Sequence, residues 1–314
     1  MTIKLGVVMD PIESIHYEND TTLAMLWEAQ KRGWQIYYFE QHNLFMRDGV
    51  PFGEGRLLTV FEDSDRWFQF DKMHALPLSE LNVIFMRKDP PFNESYIYTT
   101  YLLEYAESLG VKVINRPQGL RDCNEKFFIS AFPTCTPPTL IAQSINQLRA
   151  FLHEYQDIVC KPLNGKGGAL VFHLKEGDDN ANVVFDFLTH SETCLIMAQK
   201  FIPEIKAGDK RIILINGEPI PHMLVRLPHV NDWRGNLAAG ATGVVKPLSP
   251  QEISISKQVG PTLRERGLYF VGLDVIGNYL TEINITSPTC IREIDRAVGS
   301  NICAQLLDVI EKLL

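Results

Sequence analysis

Two carboxylates and an amide interrupt some of the most apolar runs of the chain: Asp274 in Phe270-Val-Gly-Leu-Asp-Val-Ile-Gly, and Glu282 with Asn284 in Leu280-Thr-Glu-Ile-Asn-Ile. Carboxylates seldom stand inside such strands. Glu282 and Asn284 are two residues apart and share a strand face, so with Asp274 from the neighbouring strand they offer the oxygen donors that Mg2+ takes. The hairpin sets a condition on this. A two-residue turn at Gly277-Asn278 opposes Glu282 to Leu273 and leaves it on the face away from Asp274. Convergence demands a register moved by one residue, through a three-residue turn or a bulge near Gly277.

A second candidate is Asn164-Gly-Lys-Gly-Gly-Ala169, between two strand-like runs, where Gly165, Gly167 and Gly168 let backbone N–H groups approach phosphate oxygens. Leu170 stands where the dinucleotide fingerprint needs its last glycine, and Cys160 stands where a Walker A loop needs its first. Lys161 ends the preceding apolar strand and Lys126 offers a second cation. Further on, Arg226, Arg234 and Asn236 flank or enter the small-residue run Gly235-Asn-Leu-Ala-Ala-Gly-Ala-Thr-Gly243. Residues 228–243 are expected to form a lid that closes and excludes water, with the arginines on carboxylates or a transferring phosphoryl group. Phosphorylating a carboxylate requires in-line positioning and charge neutralisation rather than a protein nucleophile. No cysteine or Ser–His–Asp nucleophile is needed.

The elements that must position these groups fall into two kinds. In the first third, short apolar runs at 4–9, 34–39, 83–86 and 111–114 alternate with helix-period segments at 20–31 and 95–108, the latter carrying Tyr98, Tyr101, Leu102 and Tyr105 on one face. This alternation predicts a parallel α/β unit. Residues 47–77 show no clean period and read as an excursion or loop. Asp122, with Glu125 three residues on, predicts a capping box opening a helix, and the division is set at 1–122 and 123–314. Beyond it, runs at 158–161, 170–174, 194–201, 211–215, 223–226, 270–276 and 279–284 read as an antiparallel α+β unit. Asn216-Gly217 marks a hairpin, and Ser249-Pro-Gln-Glu252 opens a helix kinked at Pro261.

Composition fits two domains in 314 residues at about 150 residues per domain. The 30 basic and 38 acidic residues give a net charge of −8, which argues against nucleic acid or an anionic membrane as partner. The six cysteines lack Cys-x-x-Cys spacing and read as reduced, mostly buried side chains of a soluble cytoplasmic protein. No apolar run approaches the roughly 18 residues of a membrane span.

Taken together, Met86-Arg-Lys-Asp-Pro-Pro-Phe92, Arg121-Asp-Cys-Asn-Glu-Lys126, Asp209-Lys-Arg211, Arg234-Gly-Asn-Leu-Ala-Ala-Gly240, Gly267-Leu-Tyr-Phe-Val-Gly-Leu-Asp274 and Thr281-Glu-Ile-Asn-Ile-Thr-Ser-Pro-Thr-Cys-Ile-Arg-Glu293 resemble the ATP-grasp ligases. Within them the chain is similar to the prokaryotic glutathione synthetase family over essentially its whole length. The resemblance implies an α/β N-terminal (pre-ATP-grasp) domain, then an α+β ATP-grasp fold with antiparallel sheets. It implies an ATP-dependent ligase that joins glycine to γ-glutamylcysteine through an acyl phosphate, releasing ADP and phosphate. Mg2+, or Mn2+ in its place, falls to Asp274, Glu282 and Asn284, and the nucleotide phosphates to Lys126, Lys161 and the glycine loop, with Asp209 and Asn284 also in the nucleotide site. Adenine lies against Gln199, Lys200, Phe201 and Ile202, although many relatives carry Glu where Gln199 stands. Arg211 holds the γ-phosphate, and Arg226, Arg234 and Asn236 hold the dipeptide and acyl phosphate. Ser287, Pro288, Thr289, Arg292 and Arg87-Lys-Asp89 wall the acceptor pocket. A homo-oligomer is also expected. The alternatives are an ATP-grasp ligase with another amino-acid or peptide acceptor, and a nucleotide-binding regulator without catalysis.

Overall fold

Asp20 and Asn93 each precede a helix and accept the backbone N–H three residues on, from Leu23 at 2.6 Å and Tyr96 at 3.0 Å. These caps start α1 (Thr21–Lys31) and α2 (Glu94–Ser108) in the computed structural model, which describes every residue except Met1, Lys166, Val230, Asn231, Trp233 and 236–239. The helices flank a seven-stranded sheet with β1 (Lys4–Val8) at its centre, parallel to β2 (Gln35–Phe39) and β6 (Val83–Met86).

One sequence expectation fails here. Residues 47–77 are not a loop: β3 (Leu44–Arg47), β4 (Val50–Val60) and β5 (Phe68–Pro77) extend the sheet antiparallel beside β2. The inward positions of β4 include Gly53 and Gly55, where an added Cβ would come within 2.5 Å of the buried Phe39 ring. Glycine fits the ring and leaves no apolar signal. On α2, Tyr98, Tyr101 and Tyr105 face outward, while Tyr96, Thr99, Thr100, Leu103 and Ala106 are buried. The two inward threonines donate to the Ser95 and Ile97 carbonyls, which satisfies polar groups that the pattern reads as surface.

After β7 (Lys112–Ile114), α3 (Pro117–Asp122) ends where the capping box was expected to begin a helix. A four-stranded antiparallel sheet follows, ordered β10 (Phe172–Lys175), β9 (Asp157–Pro162), β11 (Ile196–Lys200), β8 (Thr139–Ala142), and backed by α4 (Ile145–Tyr155) and α5 (Ala181–Thr189). A third, five-stranded antiparallel sheet runs β14 (Thr242–Pro247), β13 (Glu218–Leu227), β12 (Asp209–Ile215), β15 (Phe270–Ile276), β16 (Tyr279–Asn284). The Asn216-Gly217 turn joins β12 to β13 with both residues at positive φ. Ser249 and Glu252 close the expected capping box on α6 (Pro250–Glu265), a helix that continues unbroken through Pro261.

Finally α7 (Ile291–Val298) and α8 (Ile302–Glu311) return to the first sheet. Cys303, Leu306, Leu307 and Ile310 share a buried cluster with Leu5, Val7, Leu23 and Met25, so the cores cross residue 122. Arg32 fastens the return by donating to Ala304 O at 2.9 Å and pairing with Asp308 at 2.8 Å. Among the described residues, no helix is long and apolar enough to cross a membrane. All six cysteines are unbridged, and only Cys194 is exposed.

Candidate active site

The β15–β16 hairpin begins in regular register, Ile276 opposite Tyr279 and Val275 opposite Leu280, and then slips so that Asp274 opposes Glu282 and Gly272 opposes Asn284. This is the shift that convergence requires. Thr281 is the extra residue of a bulge, and Asp274, Glu282 and Asn284 come to one face of the sheet. The Thr281 carbonyl is turned to Lys161 Nζ at 3.5 Å.

Sheet pairing also brings four charges together, because Arg211 opposes Asp274 and Asp209 opposes Arg226. Arg211 grips Asp274 with Nε at 2.6 Å and Nη2 at 3.1 Å. Arg226 Nη2 lies 2.6 Å from Asp209 and 3.0 Å from Asp274. These last are charge contacts without aligned hydrogen bonds, so Arg226 Nε and Nη2 and Asp209 Oδ1 remain unmet among the described residues. All four side chains are buried, and the set is neutral overall. Burial pushes the Asp274 carboxyl up, but Arg211 and Arg226 more than reverse this and hold it well below the usual range. Burial and the neighbouring Asp274 push Asp209 up to about 6 against the pull of Arg226.

Lys126 Nζ donates to Glu282 Oε1 at 2.8 Å and to the Gly165 carbonyl at 2.6 Å. Asp274 and Glu282 are thus neutralised by protein cations, and among the described residues no three His, Cys, Asp or Glu side chains gather into a ready cage. The donors nevertheless fit a hard divalent cation: two carboxylates and Asn284, whose amide nitrogen is committed to Gly272 O at 3.3 Å and whose Oδ1 is left over.

The glycine loop is pinned at both ends, Gly165 by Lys126 and Gly168 O by Arg234 Nη1 at 2.9 Å. Gly167 and Gly168 take φ of 63° and 76°, a region that favours glycine. Arg234 is itself gripped by Asp232, with Nη2 at 2.6 Å. Lys166 and, of the expected lid at 228–243, Val230, Asn231, Trp233 and residues 236–239, Asn236 among them, lie outside the described residues. The far end of that run, from Thr242, is strand β14.

Two clefts adjoin. The first lies between the second and third sheets, walled by Lys126, Lys161, the glycine loop, Asp209, Arg234, the apolar Val159, Val171, Ile205 and Ile276, and the segment Gln199 to Ile202. Burial pulls the Lys161 ammonium down to about 8, against the pull of Glu282. Gln199 is buried and donates to Thr139 Oγ1 at 3.1 Å. The Lys200 and Phe201 amides are taken by the Pro138 and Asp157 carbonyls, whereas the Ile202 amide has no hydrogen bond among the described residues. The second cleft is walled by Asp89, Glu125, Arg211, Arg226, Asn284, Thr286, Ser287, Pro288, Thr289 and Cys290. Gly167, Ala169, Asp274 and Glu282 belong to both.

With that geometry in hand, the chain matches the prokaryotic glutathione synthetase ATP-grasp domain over residues 125–299 and the N-terminal domain of the same family over residues 3–121. It is 54% identical over 310 residues to the glutathione synthetase of Pseudomonas aeruginosa, covering 99% of this chain and 98% of that protein. It is 50% identical over 312 residues to that of Vibrio cholerae, covering 99% and 98%. The chain belongs to the prokaryotic glutathione synthetase family. Glutathione synthetases of this family are ATP-dependent ligases that use ATP with a divalent metal, and their substrates are small molecules. The fold is also that of more distant ATP-grasp ligases. D-cycloserine synthetase DcsG aligns with a TM-score of 0.64 at 12% identity, covering 96% of this chain and 99% of that one. PsnB complexed with a phosphomimetic variant of its minimal precursor, Mg and ADP aligns with a TM-score of 0.64 at 16% identity, covering 98% and 97%.

Within this glutathione synthetase family member, the expected residues divide between the clefts. Arg234 stands in the first cleft with the glycine loop, while Arg211 and Arg226 stand in the second. Arg292 is in neither: its guanidinium packs over Trp27 at 4.6 Å and Tyr17 at 5.4 Å, beside α1. Arg87 reaches the second cleft indirectly, donating to the Pro288 carbonyl at 2.9 Å and to Thr22 Oγ1 at 3.1 Å. Sequence reasoning missed Glu125, Thr286 and Cys290 as walls. Glu125 resembles a cap partner of Asp122, and only its place next to Lys126 hints otherwise.

Proposed function

We propose that the protein ligates glycine to the cysteinyl carboxylate of γ-glutamylcysteine: the γ-phosphoryl group of ATP passes to the carboxylate, releasing ADP, and the glycine amine displaces phosphate from the resulting acyl phosphate. The observation that carries this reading is the junction of the two clefts at Gly167, Ala169, Asp274 and Glu282, where a phosphoryl group could pass from one bound molecule to the other without leaving the protein. Lys126 and Lys161 bind the nucleotide phosphates, and the glycine loop covers them. Adenine lies against Gln199, Lys200, Phe201 and Ile202, with the open Ile202 amide as donor to the base. Mg2+, or Mn2+ in its place, held by Asp274, Glu282 and Asn284 Oδ1 would neutralise the phosphate oxygens during transfer. Arg211 is placed for the γ-phosphate and Arg226 for the dipeptide carboxylate and the acyl phosphate formed from it. Asp209 orients Arg226, and Arg234 acts through Gly168. Ser287, Pro288, Thr289 and Asn236 complete the substrate contacts.

The division at residues 122 and 123 is proposed as separating substrate and interface functions from nucleotide chemistry. The outward aromatic face of Tyr98, Tyr101 and Tyr105 supports a homo-oligomer, which light scattering tests, and the unbridged cysteines support a cytoplasmic setting. The activity is tested by supplying ATP and γ-glutamylcysteine with each amino acid in turn and measuring ADP with the ligated product. Glycine should give the highest turnover, and a different preferred acceptor would overturn the assignment.

A further inference from the structure

The acidic end of the second cleft has no part in the roles above. Glu125 Oε1 accepts three hydrogen bonds, from Ile285 N at 2.8 Å, Thr286 N at 3.0 Å and Thr286 Oγ1 at 2.9 Å. The side chain is therefore fixed. Oε2 takes no hydrogen bond among the described residues, and it belongs to a half-buried residue that walls the cleft. The main chain is fixed as well: the Glu125 carbonyl accepts Ile283 N at 2.8 Å, which lays residue 125 beside Glu282 and Asn284 where the two clefts meet. Lys126, next in sequence, turns away to Glu282 and Gly165, and no ion pair to Glu125 occurs among the described residues. At the same end, the phenol of Tyr96 is buried and its Oη has no hydrogen-bond partner among the described residues, although it feels the charges of Glu125, Arg87 and Asp89.

A carboxylate locked in place, with one oxygen open to the cleft and no cation of its own, matches an ammonium group. Both substrates of the proposed reaction carry an ammonium, and position decides between them. The ammonium of γ-glutamylcysteine is several bonds from the carboxyl that is activated, whereas the acceptor nitrogen must touch the activated carbon, which forms at the junction beside Glu125.

We propose that Glu125 is the acceptor-binding residue, holding the ammonium of the incoming amino acid on Oε2 at the junction of the two clefts. The proposal rests on the ligase reading above.

The test is Glu125→Gln, whose amide oxygen can still accept the Ile285 and Thr286 bonds while the charge is lost. Acceptor binding is read against hydroxylamine, a nucleophile that is uncharged at neutral pH and traps the acyl phosphate as a hydroxamate. KM for glycine should rise about 30-fold or more, while hydroxamate formation and Tm stay at the wild-type values. An unchanged KM for glycine overturns the proposal, and so does a parallel loss of glycine and hydroxylamine reactions, which would assign Glu125 to loop structure. Should the variant fail to fold, the wild-type protein answers: methylammonium should compete with hydroxylamine and acetate should not, and the reverse overturns the proposal. If the wild-type protein forms no hydroxamate from ATP and γ-glutamylcysteine, the ligase reading fails instead.

Discussion

Lys161 holds its charge against its surroundings. Burial draws its ammonium down to about 8, so the fold leaves the lysine short of negative charge. Nucleotide binding should therefore take up protons at pH 8, where about half of the Lys161 side chains are neutral, and far fewer at pH 7. Calorimetry in buffers of different ionisation enthalpy measures this, and Lys161→Met should abolish it together with tight nucleotide binding. The same shift predicts stability. An unfolded lysine titrates near 10.4, so below pH 8 both states are charged and the burial penalty is fully present. Between pH 8 and 10.4 the unfolded chain holds a proton that the folded protein has shed, and stability rises with pH. Lys161→Met should thus stabilise the ligand-free protein below pH 8, by at most about 3 kcal/mol, with the advantage fading toward pH 10 in denaturant titrations. Charges of this kind were legible because they break apolar strands. Glu125 was not, since a carboxylate three residues after Asp122 is indistinguishable from a helix cap until the chain is folded.

At the scale of elements, the hairpin that carries Asp274, Glu282 and Asn284 was legible down to its irregularity. The side-chain period of two requires a register moved by one residue to bring the three to one face, and of the two ways to move it the structure uses a bulge, at Thr281. The β4–β5 hairpin was not legible, and the reason is steric. Gly53 and Gly55 are inward residues whose missing side chains are replaced by the ring of Phe39. Gly55→Ala should destabilise by about 1–3 kcal/mol through overpacking, and Phe39→Leu in the same chain should recover part of the loss. A denaturant double-mutant cycle measures the coupling. Additive effects would mean that the ring does not determine the glycine. On α2 the tyrosines that share one face point outward, while the inward face is built partly from threonines, a division that periodicity alone does not assign.

For the whole molecule, a buried core crosses the division expected at residue 122. The cluster around α1 joins Leu5, Val7 and Met25 to Leu306, Leu307 and Ile310, and Arg32 donates to a carbonyl 272 residues away. A fragment of residues 1–122 should accordingly lack a cooperative thermal transition, and linking residues 287–314 to it should restore one, as read by circular dichroism. Periodicity revealed α1 but not its cover, because no local pattern specifies which distant helix will lie on an apolar face. The return of α8 also bears on synthesis. On the ribosome, the outer face of α1 emerges nearly the whole chain before the helix that covers it. The nascent N-terminal sheet must wait, partly uncovered and within reach of chaperones, until residues 302–311 leave the exit tunnel, so the emergence of α8 rather than that of α1 controls when this sheet becomes native.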